Sequence, residues 1–96
     1  MAIVRTFEAK GWTIDDYDEL MRQLIAQLGL RPGKPAPGVL FHWAAATDDG
    51  MRAVDVYESR EAADRLVGER IGPIAGELGL APPEITELDV HNHLPA

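Results

Sequence analysis

Gly38-Val-Leu-Phe-His-Trp-Ala-Ala-Ala-Thr-Asp-Asp-Gly-Met-Arg-Ala-Val-Asp-Val-Tyr-Glu58 decides the fold. Two strand-like runs, Val39 to Thr47 and Met51 to Glu58, flank Asp48-Asp49-Gly50, and an Asp-Gly pair between such runs is the strongest short-range hairpin signal. With Asp49-Gly50 as the two-residue turn, Asp48 pairs with Met51 and the ladder runs back from there. Ala45 then opposes Val54, Trp43 opposes Val56 and Phe41 opposes Glu58. The other face pairs Ala46 with Ala53, Ala44 with Asp55 and His42 with Tyr57. The first set is almost wholly apolar and is expected under the helices, with Trp43 in the core. The second mixes alanine with His, Asp and Tyr. A slip of one residue would invert both faces, because strand side chains alternate.

Outward from the hairpin, Ala2 to Glu8 reads as a first strand, ended by Lys10-Gly11-Trp12. Thr13 then caps a helix, with Asp16 in the capping-box position and Asp15 and Asp16 in the first turn, where the helix dipole favours negative charge. Ile14, Tyr17, Leu20, Met21, Leu24, Ile25 and Leu28 recur at helical spacing as one apolar stripe, and Gly29 is the stop. Residues 31–38, rich in proline and glycine, form a loop. Ser59 caps a second helix that Gly72-Pro73 kinks or ends, and Ile74 to Leu78 adds a short helical piece stopped by Gly79. Glu84 to His91 is a final strand. Strand, helix, strand, strand, helix, strand is the split βαβ, ferredoxin-like α+β arrangement. Right-handed crossovers place both helices on one face of a four-stranded antiparallel sheet of order 4-1-3-2. Residues 1–96 read as a single such domain.

The 96 residues carry nine Lys+Arg against sixteen Asp+Glu, a formal charge of −7 with both signs interspersed. Nucleic-acid affinity comes from clustered basic residues, so no nucleic-acid partner is expected. No apolar run approaches the ~18 residues of a membrane span, and the start lacks a signal-peptide pattern, so no membrane partner is expected and the location reads as cytoplasmic. Without cysteine there is no disulfide, thiolate zinc site or cysteine nucleophile.

With both helices on one side, the opposite face of the sheet needs a cover, and a second copy packed through a two-fold axis is the economical one. A homodimer is therefore expected, its two sheets enclosing a space lined by the His42 face. The chain resembles the dimeric α+β-barrel superfamily, which includes antibiotic-biosynthesis monooxygenase-like and stress-responsive barrel proteins. The resemblance rests on the strand order, Gly38-Val-Leu-Phe-His-Trp43, Asp55-Val-Tyr-Glu-Ser59, the Ile71-Gly-Pro73 break and Val90-His-Asn92. It implies cofactor-free oxygenases, cyclases or isomerases among possible relatives. Haem-degrading members carry a histidine on the second helix, and this second helix has none.

His42, placed opposite Tyr57 and diagonal to Asp55, reads as an acid/base residue oriented by the Asp55 carboxylate. Tyr57 and His91 are candidate hydrogen-bond partners of a ligand, Arg5 a neutraliser of the acidic face, and Trp12 a flank of the cavity mouth. The plain alternatives are a His42 bonded into a dimer interface, a Trp12 packing plug and ion pairs for Glu87. His42 and His91 fall on opposite edge strands, three spacings of ~4.8 Å or roughly 14 Å apart, so they cannot share a metal within one chain. A zinc site needs three or four protein ligands and no third is forced, so neither a metal nor an organic cofactor is expected. For His93 a frayed terminus is expected. Nucleophilic triads and phosphate loops have no support. The expectation is a cofactor-free enzyme that abstracts a proton from an aromatic or polyketide-like small molecule held between sheet and helices. The alternative is a non-catalytic homodimeric carrier or accessory protein.

Overall fold

A computed structural model of the chain describes residues 1–94. The elements run β1 (Ile3–Lys10), α1 (Ile14–Leu28), β2 (Val39–Thr47), β3 (Gly50–Tyr57), α2 (Arg60–Leu66), α3 (Gly72–Glu77) and β4 (Glu84–Asp89). Capping chemistry sets the helix starts. The Thr13 hydroxyl accepts from the Asp16 amide at 3.0 Å, and the Asp16 carboxylate accepts from the Thr13 amide at 2.8 Å. This reciprocal pair satisfies two amides that α1 itself leaves without partners. Ser59 caps α2 through the Ala62 amide at 3.1 Å. At the far end of α1, Gly29 takes the left-handed conformation (φ 64°) that terminates the helix.

Of the two expectations for Gly72-Pro73, an end or a kink, the helix does not end there. A π-helical turn, Val67–Ile71, joins α2 to α3, and the Gly72 amide reaches back five residues to the Val67 carbonyl. The widened turn accommodates the helix-breaking proline, which sits in the first turn of α3 directly after it.

The sheet is antiparallel with order β2-β3-β1-β4, the expected 4-1-3-2 arrangement. The hairpin register differs from expectation by two residues. Thr47 pairs with Gly50, so Asp48-Asp49 forms the turn, and His42 faces Asp55 rather than Tyr57. Gly50 is a strand residue rather than a turn residue. A Cβ there would lie 2.2 Å from the Ala9 carbonyl oxygen of β1, so glycine is required by the close approach of that backbone. Because the shift is an even number, each hairpin face keeps its membership and only the partners move.

Which face meets the helices is the larger correction. The rows beneath the helices are Val39–Tyr57–Ile3–Asp89, His42–Asp55–Arg5–Glu87, Ala44–Ala53–Phe7–Ile85 and Ala46–Met51–Ala9. Ile3, Phe7, Ala9, Met51 and Tyr57 of these rows are buried and join Leu20 and Leu24 of α1 with Ala63, Leu66, Ile74 and Ala75 in the core. The face expected in the core lies outside. Its rows are Phe41–Val56–Val4–Leu88 and Trp43–Val54–Thr6–Thr86, and Trp43 keeps 40% of its surface exposed, Leu88 65%. Ranking the two hairpin faces by apolarity fails because both need cover. The polar face is compatible with the core because its charged groups bond one another. Among the described residues no buried side-chain nitrogen or oxygen lacks a hydrogen-bond partner.

Candidate active site

The polar row crossing the inner face of the sheet is satisfied in two halves. On the β4 side, Arg5 is buried and its guanidinium donates to Glu87 at 2.9 Å and to Asp64 of α2 at 2.6 Å. Arg60 donates to the same Glu87 at 2.7 Å, and the two guanidinium groups, Arg60 first, hold this carboxyl below its ordinary range. This clamp ties α2 to β4. Arg5 is thus a structural cation away from the cavity rather than a ligand contact, and Glu87 has its ion pairs within the chain.

On the β2 side, four residues form one hydrogen-bonded chain. Tyr57, fully buried, donates its hydroxyl to Asp55 Oδ2 at 2.6 Å. Asp55 Oδ1 bonds His42 Nδ1, and His42 Nε2 meets the Tyr17 hydroxyl of α1 at 2.6 Å. The carboxylate can only accept, so it assigns a proton to Nδ1; in the neutral imidazole Nε2 then accepts from the Tyr17 O–H. The rings of Tyr17 and His42 are nearly parallel, 6° apart, with centroids 6.2 Å apart. Burial first, and then the Asp55 charge, pushes the Tyr57 hydroxyl well above the usual phenol range. The Tyr17 hydroxyl is pushed up to about 12, by burial first and then by the charges of Asp55 and Asp18.

Beside this chain lies a cavity of about 330 Å³ between the sheet and the helices. Tyr17, Leu20 and Met21 of α1 form one wall; Phe7, Met51 and Ala53 of the sheet form the floor; Val67, Ile71 and Gly72 close a side. Its polar side chains are Tyr17, His42 and Asp55, together with the indole of Trp12. Trp12 Nε1 donates to the Ala81 carbonyl at 2.8 Å, which pins the residue between β1 and α1 to the segment before β4. The π-helical turn contributes Val67 and Ile71, as such turns often do beside functional sites.

Of the six residues singled out from the sequence, the structure brings His42, Asp55 and Trp12 to this cavity. Tyr57 stands behind Asp55 and does not line it. His91 lies beyond the end of β4, exposed and remote from the row. The space expected between two sheets is therefore not where His42 points: the imidazole lies on the helix side of the sheet, against Tyr17 of α1 of the same chain. Tyr17 was read only as a member of the apolar stripe of α1. A phenol at the first turn of that stripe, above a strand histidine, was the signal that could have found it. Among the described residues no group of three or more His, Cys, Asp or Glu side chains is placed to hold a metal ion, and no helix is long and apolar enough to cross a membrane.

Solved structures with the same architecture include the cofactor-independent oxygenase SnoaB from Streptomyces nogalater. It is 17% identical with a TM-score of 0.60, the match covering 99% of this chain and 96% of that one. A Chloroflexus aurantiacus protein provisionally described as an antibiotic biosynthesis monooxygenase is 19% identical, with a TM-score of 0.61 and 97% of each chain covered. A dimeric ferredoxin-like protein of unknown function from Jannaschia is 11% identical, with a TM-score of 0.61, covering 94% of this chain and 100% of that one. The chain has their fold. At such identities the likeness is one of fold alone, and chemistry has to be argued from the site. No protein-family model matches the sequence, and no curated protein does either.

Proposed function

We propose that this chain is a cofactor-free enzyme that removes a proton from an aromatic or polyketide-like small molecule bound beneath its helices. The observation that carries the reading is the Asp55–His42 pair at the wall of a 330 Å³ cavity whose lining is largely apolar. A volume of this size lies within the range of small-molecule sites, roughly 300–1,000 Å³. Asp55 orients the imidazole and stabilises the imidazolium formed when Nε2 takes a proton, as a buried carboxylate does for a catalytic histidine. Tyr57 holds the carboxylate in place from behind, so Tyr57 is a positioning residue. The fold shared with a cofactor-independent oxygenase supports a reaction run by the chain's own side chains. The carbanion, enolate or phenolate left by deprotonation is the common entry to cyclisation, isomerisation or reaction with oxygen.

The reading includes a homodimer built through the outer face of the sheet. Phe41, Trp43 and Leu88, exposed, with the half-buried Val4 and Val54 between them, form an apolar surface of the kind that marks an association site. A fold neighbour described as dimeric supports it. The test of the enzyme reading begins with the ligand retained on native mass spectrometry of the purified protein. His42→Ala should leave the fold intact and the ligand bound while abolishing its turnover. Undiminished turnover by that variant would remove His42 from the chemistry, and a ligand that neither protein turns over would favour a carrier.

A further inference from the structure

Both ring nitrogens of His42 are occupied. Nδ1 faces Asp55, and Nε2 lies 2.6 Å from the Tyr17 hydroxyl, whose proton it accepts in the neutral ring. A molecule in the cavity therefore meets no free imidazole nitrogen. It does meet the Tyr17 oxygen, whose proton is directed at Nε2 and whose remaining lone pair is open to a donor. Tyr17 lines the cavity from α1, opposite the sheet residues that form its floor.

We infer that Tyr17 is the residue that touches the ligand, and that His42 receives the ligand's proton through it. This rests on the reading of His42 as the base. In the step, the O–H bond of a phenolic or enolic ligand breaks and its proton bonds to the Tyr17 oxygen. The proton that Tyr17 held moves to His42 Nε2. The bonding pair stays on the ligand oxygen, so a neutral ligand and a neutral imidazole become a phenolate or enolate and an imidazolium, with Asp55 facing the new positive charge. Tyr17 begins and ends neutral. Free tyrosinate is disfavoured there, since burial and two nearby carboxylates push its hydroxyl up to about 12.

The same walls define the ligand's chemical class. Among the described residues no Lys or Arg lines the cavity, and the one charged side chain that does is the Asp55 carboxylate. A permanently anionic ligand is repelled and finds no counter-charge. The remaining surface, with Phe7, Leu20, Met21 and Met51, favours a flat apolar body. The class is thus a neutral, ring-containing phenol or enol with its hydroxyl at the Tyr17 end.

The dye 7-hydroxycoumarin is such a molecule, and its phenol and phenolate forms have distinct spectra. Titrated into the wild-type protein across a pH series, it should ionise more readily when bound, with on the order of tenfold more anion at a given pH than in water, one unit of pKa. Tyr17→Phe and His42→Gln should each bind the dye and lose this enhancement. If Tyr17→Phe keeps it while His42→Gln loses it, the relay is wrong and the base reading stands; if both variants keep it, both fall. Failure of the wild-type protein to bind the dye overturns the ligand class. Should Tyr17→Phe not fold, the wild-type protein with labelled histidine decides. Dye binding should convert His42 to the two-proton imidazolium, with the dye's ring protons in contact with the Tyr17 ring. Contact with the His42 ring instead would overturn the relay.

Discussion

Tyr57→Phe removes a single oxygen atom and isolates the energetic role of the hydrogen-bonded chain. The ring is fully buried and stays so in the variant, and no apolar contact is lost. What disappears is the 2.6 Å hydrogen bond to Asp55 Oδ2. Hydrogen bonds to charged groups contribute about 1.5–3 kcal/mol, and a buried acceptor left without its donor bears the full desolvation penalty. The expected loss is about 2 kcal/mol, which for a chain of this size lowers Tm by roughly 8–16 °C. Tyr17→Phe, at the partly exposed end of the same chain, should lose under about 1 kcal/mol. Urea unfolding at neutral pH reads both. The alkaline branch gives a second signature. Both tyrosines have folded-state pKa values raised above the usual 10, so their contribution is intact below pH 10 and is lost as pH rises through the folded values, about 12 for Tyr17. Tyr57→Phe should make this alkaline decline shallower. A variant within about 0.5 kcal/mol of wild type, with an unchanged alkaline branch, would refute the idea that Tyr57 braces Asp55.

Gly50→Ala forces a Cβ to within 2.2 Å of the Ala9 carbonyl oxygen, so β1 and β3 must part locally; a loss of about 1–3 kcal/mol in urea unfolding is expected. Glu87 has a folded pKa depressed by Arg60 and Arg5, so the clamp contributes above the ordinary carboxylate pKa and is lost as pH falls through the folded value. Glu87→Gln should therefore flatten the acid branch of the stability curve, and an unchanged acid branch would show that the clamp does not support the fold. Trp43→Lys on the outer face should shift the sedimentation coefficient from dimer to monomer at micromolar concentration while leaving the circular dichroism spectrum in place. A wild-type protein that is already monomeric there would exclude the proposed interface.

Local signals in the sequence translate directly into structure where the chemistry is local. Thr13 with Asp16, Gly29 and Ser59 each mark a helix end, because each acts on amides or carbonyls a few residues away. The sheet order also follows, since the sequence of elements and the handedness of crossovers leave one arrangement. Gly50 is not legible because a glycine after two aspartates reads as a turn, while its cause is the backbone at Ala9 of β1, 41 residues away in the chain. The side of the sheet that meets the helices was not legible in the hairpin alone. Phe41, Trp43, Val54 and Val56 are more apolar than His42, Ala44, Ala53 and Asp55, yet they face away. Burial of Arg5 and Asp55 in the polar row is offset by their partners: Asp64 on α2 and Glu87 on β4 for Arg5, His42 and Tyr57 for Asp55. The His42–Asp55 pairing was within reach of the sequence because it requires only that the two share a face. Tyr17 was not, because its role depends on how α1 is laid across the sheet.

The tautomer of one imidazole is the most direct test. Long-range 15N–1H correlation on the free protein with labelled histidine resolves which nitrogen of His42 is protonated in its neutral form. A proton on Nδ1, with Nε2 bare and accepting from Tyr17, is the expected pattern, and Asp55→Asn should disturb it. A proton on Nε2 in the wild-type protein would mean that Asp55 does not orient the ring, and the site would have no base aimed at the cavity.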